Sequence, residues 1–110
     1  MGKTFTPISD EAALEELIAR SKDAPVILFK HSSTCPVSAS AYREMSKLSE
    51  DVALLVVQRA RDISREVEQR TGVRHESPQA IVLRNGQAVW TASHWDVTSE
   101  NVEEALRANA

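Results

Sequence analysis

The chain has a single cysteine, Cys35, among its 110 residues. One cysteine cannot close an intrachain disulfide, so a reducing, cytoplasmic compartment is expected. Glycine is scarce too: three residues leave no Gly-rich loop to cradle a phosphate. The longest apolar run, Val52 to Val57, is far short of the roughly 20 residues of a membrane-spanning helix. The formal net charge of −3 lacks the basic surplus that nucleic-acid or anionic-membrane binding calls for. Three histidines, His31, His75 and His94, make no recognised zinc-ligand spacing with Cys35 or with one another, so no metal site is expected. Carboxylates such as Glu11, Glu15, Glu16, Glu66 and Glu68 are scattered along helical faces, with no paired acid–base set. The opening MGKTFTPISDEA turns acidic where a secretory signal would be apolar. Met1 to Thr6 match a myristoylation pattern of a kind that often arises by chance.

What is present is a composition of 42% hydrophobic and 26% charged residues, ordinary for a globular chain. Its length predicts one domain over residues 1–110, large enough to bury a core without staples. Ser9 is a candidate cap for a helix over about Asp10 to Ser21, with Ala13, Leu14, Leu17 and Ile18 on one face. Val26 to Phe29 reads as a buried strand, apolar on both faces. A helix is predicted from Pro36, allowed in a first turn because its missing N–H has no partner there, to about Leu48. Val52 to Val57 is a second buried strand. Asp62 can cap a helix from Ile63 to Thr71, which Gly72 stops. Gln79 to Leu83, the hairpin signal Asn85-Gly86, and Gln87 to about Ala92 predict two antiparallel strands. Thr98 caps a last helix that buries Val102, Ala105 and Leu106. Alternating helices and strands imply parallel pairing, to which the hairpin adds an antiparallel pair. The expected fold is α/β and thioredoxin-like, a four-stranded mixed sheet with helices on both faces.

That order places Cys35 between a strand and the start of a helix. Unpaired backbone N–H groups and the positive end of the helix dipole favour an anion there, and a thiolate is one. Ser38, one turn on, can offer its hydroxyl to the sulfur. Lys30 and His31, close in sequence, are candidates for adding positive charge. The small polar collar Ser32, Ser33, Thr34, Ser38 and Ser40 suggests an accessible sulfur. A buried, inert cysteine is the plain alternative, which the Cys-Pro-x-Ser helix start disfavours. Pro78 precedes a strand in the position where thioredoxin-like folds carry a cis-proline facing the cysteine, although most X–Pro bonds are trans. His75 reads as a solvated loop residue. Trp90 and Trp95, beside His94, read by default as packing residues, and less readily as a surface that contacts substrate.

Lys30-His31-Ser32-Ser33-Thr34-Cys35-Pro36-Val37-Ser38 closely resembles the active-site segment of the monothiol (YtxJ-type) bacilliredoxins. The resemblance extends through Glu76-Ser77-Pro78-Gln79 and Trp90-Thr91-Ala92-Ser93-His94-Trp95, with Val37 where isoleucine is common. It implies a thioredoxin fold and an oxidoreductase activity, the removal of the small thiol bacillithiol from bacillithiolated client proteins. Cys35 then falls on the attacking cysteine, Ser38 on the non-cysteine position, and Ser77 and Pro78 on the cis-proline loop. Thr34 and Pro36 flank the cysteine as substrate-contacting positions. No bound cofactor is implied; bacillithiol is the co-substrate, and another redoxin or thiol the reductant. Two other readings remain at this point. One is a monothiol glutaredoxin-like iron–sulfur carrier, disfavoured by Pro36 where that group has glycine. The other is a non-enzymatic stress or redox-sensor protein that uses Cys35 only to sense oxidation.

Overall fold

The computed structural model describes residues 5–110; Met1 to Thr4 of the myristoylation-like start lie outside the described residues. The elements are β1 (Phe5–Pro7), α1 (Glu11–Arg20), β2 (Val26–His31), α2 (Pro36–Met45), β3 (Val52–Val56), α3 (Arg61–Thr71), β4 (Gln79–Arg84), β5 (Gln87–Ser93) and α4 (Ser99–Ala108). A 3-10 turn, His94–Asp96, links the last strand to α4.

The sheet has five strands in the order β1-β3-β2-β4-β5, one more than the four expected. The additional strand is β1, three residues long and half exposed, which pairs parallel with β3 at the sheet edge. A strand that short carries no readable alternation, and Pro7 sits comfortably there because an outer edge needs no N–H. The rest of the sheet is mixed as predicted: β2 runs parallel to β3 and antiparallel to β4, and β4 pairs antiparallel with β5.

Strand alternation divides the core between the two faces. Leu28, Leu55, Ile81 and Leu83 pack with Leu14 and Leu17 of α1 and Ile63 and Val67 of α3. Ile27, Phe29, Ala80 and Val82 pack with Ala41 and Met45 of α2 and Val102 and Leu106 of α4. Each fully buried Leu, Ile, Val, Phe or Met side chain among them contributes about 1.5–3 kcal/mol by leaving water, which is how a chain with one cysteine holds its shape.

The helix ends follow local chemistry, shifted a little from expectation. Asp10, not Ser9, caps α1, its carboxylate accepting from the Ala13 N–H at 2.8 Å. The residue three before an unpaired N–H is the one within reach, and that is Asp10. Asp62 does not cap α3 either: the helix begins at Arg61 behind Ala60, and Asp62 pairs with Arg65 within the first turn. Gly72 closes α3 in the left-handed region at φ 73°, and Thr98 caps α4 by accepting from the Asn101 N–H at 3.1 Å. α2 ends at Met45, earlier than Leu48. Glu44 ties it to α4 by accepting from the Ser99 N–H at 2.9 Å, a bond that, after Lys47, helps hold its carboxyl below the usual range.

Candidate functional site

Cys35 is the residue before the first turn of α2, with extended backbone (φ −98°, ψ 125°) and Pro36 next. The first intrahelical bond already runs from Ala39 N–H to the Cys35 carbonyl. Proline has no N–H, so the unpaired donors of this helix start are those of Val37 and Ser38. Sγ does not form a full capping bond, yet both amides face it. The Cys35 thiol is lowered from its ordinary value first by the Ser38 N–H, then by the Val37 N–H, against slight burial, with the Ser38 hydroxyl adding to the effect. The sulfur is half exposed, whereas Ser38 is fully buried beside it. Hydrogen bonding to the charged form is the mechanism, and it works without any charged neighbour.

Lys30 and His31 do not supply the positive charge considered from their position in the chain. Lys30 shares the strand face of Val26 and Leu28, so its side chain turns toward α3 and is completely buried. Its Nζ lies 3.3 Å from His75 Nδ1 and 3.5 Å from the Ser64 carbonyl. Ser64 Oγ also meets His75 Nδ1, at 3.2 Å. His75 is an exposed loop residue, as expected, but its ring also closes this polar cluster, and its backbone N–H donates to Glu68 at 2.8 Å. Burial lowers the Lys30 ammonium against a partial opposing pull from Glu68, and burial followed by the Lys30 charge lowers His75. His31 lies on the opposite face, its ring 5.1 Å from Tyr42 and 5.6 Å from Phe29, and burial lowers it as well.

The Ser77–Pro78 bond is cis, as the position of Pro78 in the element order predicts. Lys30 of β2 pairs with Gln79 of β4 in antiparallel register. The end of β2 and the start of β4 therefore lie side by side, which brings Ser77 and Pro78 to the sheet end from which the Cys35 loop departs. Pro78 is buried and its carbonyl accepts from the His94 N–H at 2.9 Å. His94 holds a left-handed φ of 56°, with Nδ1 3.8 Å from Glu76 Oε1. Trp90 is half-buried against the α2/α4 core as its default reading has it, but Trp95 stands 68% exposed. Thr34 and Pro36 are exposed on either side of Cys35. The remaining contact, unforeseen from sequence, is Gln58: beyond the end of β3, it bonds Ser32, Ser33 and Thr34. An isolated glutamine after a strand carries no motif that would single it out.

A lone, partly exposed thiol at the head of a helix, at the same end of a mixed sheet as the Ser77–Pro78 strand entry, fits a thiol redox protein of the thioredoxin class. The sequence description of monothiol bacilliredoxin BrxC matches residues 6–102. The chain belongs to that monothiol bacilliredoxin family. Among solved structures, it is similar to a candidate oxidoreductase with a thioredoxin fold, at 36% identity and a TM-score of 0.85, with 92% of each chain covered. It also resembles Fasciola hepatica thioredoxin, at 14% identity and a TM-score of 0.75 over 96% of this chain and 99% of that one, a likeness of fold alone. No helix among the described residues is long and apolar enough to cross a membrane.

Proposed function

We propose that the protein removes bacillithiol from client proteins by monothiol exchange at Cys35. The observation that carries this reading is the environment of the sulfur: a half-exposed, acidified Cys35 with a buried serine, not a second thiol, one helical turn away. The Cys35 thiolate attacks the bacillithiol sulfur of a mixed disulfide. The client sulfur leaves with the bonding pair and takes up a proton, and Cys35 is left disulfide-bonded to bacillithiol. Exchange of this kind needs one attacking thiolate and one good leaving group. Ser38 cannot resolve the adduct, so a second thiol from outside, free bacillithiol or the thiol of another redoxin, attacks it and releases Cys35 as thiolate. Thr34 and Pro36 flank the incoming disulfide, and Ser77 and Pro78 border it from the adjoining strand entry.

The test is intact-mass analysis after treatment with bacillithiol disulfide, followed by turnover of a bacillithiolated client. One adduct per chain is expected, confined to Cys35, reversed by added thiol and absent in Cys35→Ser. Failure of Cys35 to take the adduct, under conditions where it reacts with ordinary alkylating agents, would overturn the reading.

A further inference from the structure

The loop between β2 and α2 is short, polar and exposed at Ser33 and Thr34. Within itself it is held by a long turn bond, Cys35 N–H to the Ser32 carbonyl at 3.4 Å, and by the Ser32 N–H, which donates to Ser38 Oγ at 3.2 Å. Among the described residues, Gln58 is the side chain that reaches it from elsewhere in the fold. The Ser33 N–H can only donate, so it identifies Oε1, at 3.3 Å, as the acceptor end of the amide. Nε2 then donates to Ser32 Oγ at 2.7 Å and to Thr34 Oγ1 at 3.3 Å. One planar group thus grips three consecutive residues just before the cysteine.

The consequence reaches the sulfur through Ser38. A hydroxyl that accepts an amide N–H through its oxygen keeps its own proton free to donate elsewhere. Ser38 Oγ accepts from the Ser32 N–H, and Ser38 sits one helical turn after Cys35, where its hydroxyl helps to lower the thiol. Ser38 is buried, so no water competes for that proton. The chain of bonds runs from Gln58 to Ser32 and from Ser32 to Ser38, which stands one helical turn after Cys35. Each link sets the position or the hydrogen orientation of the next, as supporting residues do around a preorganised site.

We propose that Gln58 is a positioning residue for Cys35: it fixes the Ser32–Thr34 segment so that Ser38 directs its hydroxyl proton at the sulfur. This rests on Cys35 being the reacting thiol, and not on which small thiol it carries. The readout is the rate of Cys35 alkylation by iodoacetamide against pH, in full-length protein. Gln58→Met keeps the length of the side chain and removes its hydrogen bonds. The expected result is a midpoint moved to higher pH, about two- to threefold slower alkylation on the acid side, and an unchanged rate on the alkaline plateau. In a Ser38→Ala background, Gln58→Met adds nothing further, because the group it orients is gone. Ser32→Ala, which removes the shortest of the three bonds, moves the midpoint in the same direction by less, and serves if Gln58→Met does not fold. An unmoved midpoint in the folded single variants, or an equal shift with and without Ser38, overturns the proposal. Alkylation involves no bacillithiol, so a shifted midpoint in a protein that takes up no bacillithiol would sink only the substrate assignment.

Discussion

At the residue scale, the acidity of Cys35 comes from backbone more than from side chains. The two amides that face the sulfur belong to Val37 and Ser38, and both outrank the Ser38 hydroxyl. Ser38→Ala keeps those amides. Its alkylation midpoint is therefore expected to rise yet stay below that of an ordinary cysteine, near 8.5. A pH–rate profile checks this, and a Ser38→Ala midpoint at the ordinary value would show the hydroxyl to be the main source of acidity. Ser38→Cys places a second thiol one helical turn after Cys35, where it can act as an internal resolving group. That variant is expected to shed its small-thiol adduct without an external reductant and to end two hydrogens lighter than its reduced form as a disulfide closes, both visible by intact mass.

At the element scale, the β4–β5 hairpin is pinned by one residue of a distant helix end. Asn85 and Gly86 both hold left-handed backbone, at φ 56° and 74°, the signature of a type I′ turn. Buried Ser21, just past α1, receives the Asn85 N–H on its carbonyl at 2.7 Å and the Gly86 N–H on its hydroxyl at 2.9 Å. Ser21→Ala leaves the Gly86 N–H without that acceptor and is expected to cost about 1–3 kcal/mol, measured by urea unfolding. Thr98→Ala, which removes the cap of α4, is expected to cost about 1 kcal/mol in the same assay. Neither change touches the loop that carries Cys35, so alkylation rates at the native pH should be unchanged.

At the scale of the whole molecule, a buried polar cluster joins β2, α3 and the segment leading to Pro78. Lys30, Ser64 and Gln79 are all nearly or fully buried, and His75 closes the group from the loop. The charged groups around it are Glu68 on α3, which opposes the lowering of both Lys30 and His75, and Glu76, which opposes it at His75. Because His75 is lowered in the folded state, the unfolded chain binds the proton more readily. Stability from this group is then full above the unfolded value, about 6.5, and falls as pH drops below it toward the folded value. His31 is lowered too and acts in the same direction. Acid melting curves should show the loss setting in below about pH 6.5, and His75→Gln should make that slope shallower. Lys30 is the more costly member: it is lowered from 10.5, so at neutral pH the fold carries a desolvated ammonium, a penalty relieved only as pH rises through the folded value toward 10.5. Lys30→Met is expected to raise the melting temperature and to flatten the alkaline rise in stability, since apolar replacement of a buried charge is often stabilising. A lower melting temperature would instead show that the Lys30 contacts outweigh its desolvation.

By itself the sequence determined most of the element order, the hairpin, the Gly72 and Thr98 helix ends and the position of Cys35 at the start of α2. These follow from forces between residues a few positions apart: apolar periodicity, capping, turn chemistry and the tolerance of a helix start for proline. The Cys-Pro-x-Ser stretch was legible for the same reason, since its amide donors and Ser38 all lie within one turn. Tertiary structure decided what depends on residues far apart in the chain. The strand β1 exists because β3 offers it an edge, not because three residues prefer to be extended. Lys30 is close to Cys35 in the chain, but strand alternation sends it to the opposite face, where His75 and Ser64 meet it from 45 and 34 positions away. Gln58 has no local signature at all; it matters because parallel pairing of β2 with β3 sets the end of one strand beside the loop leaving the other.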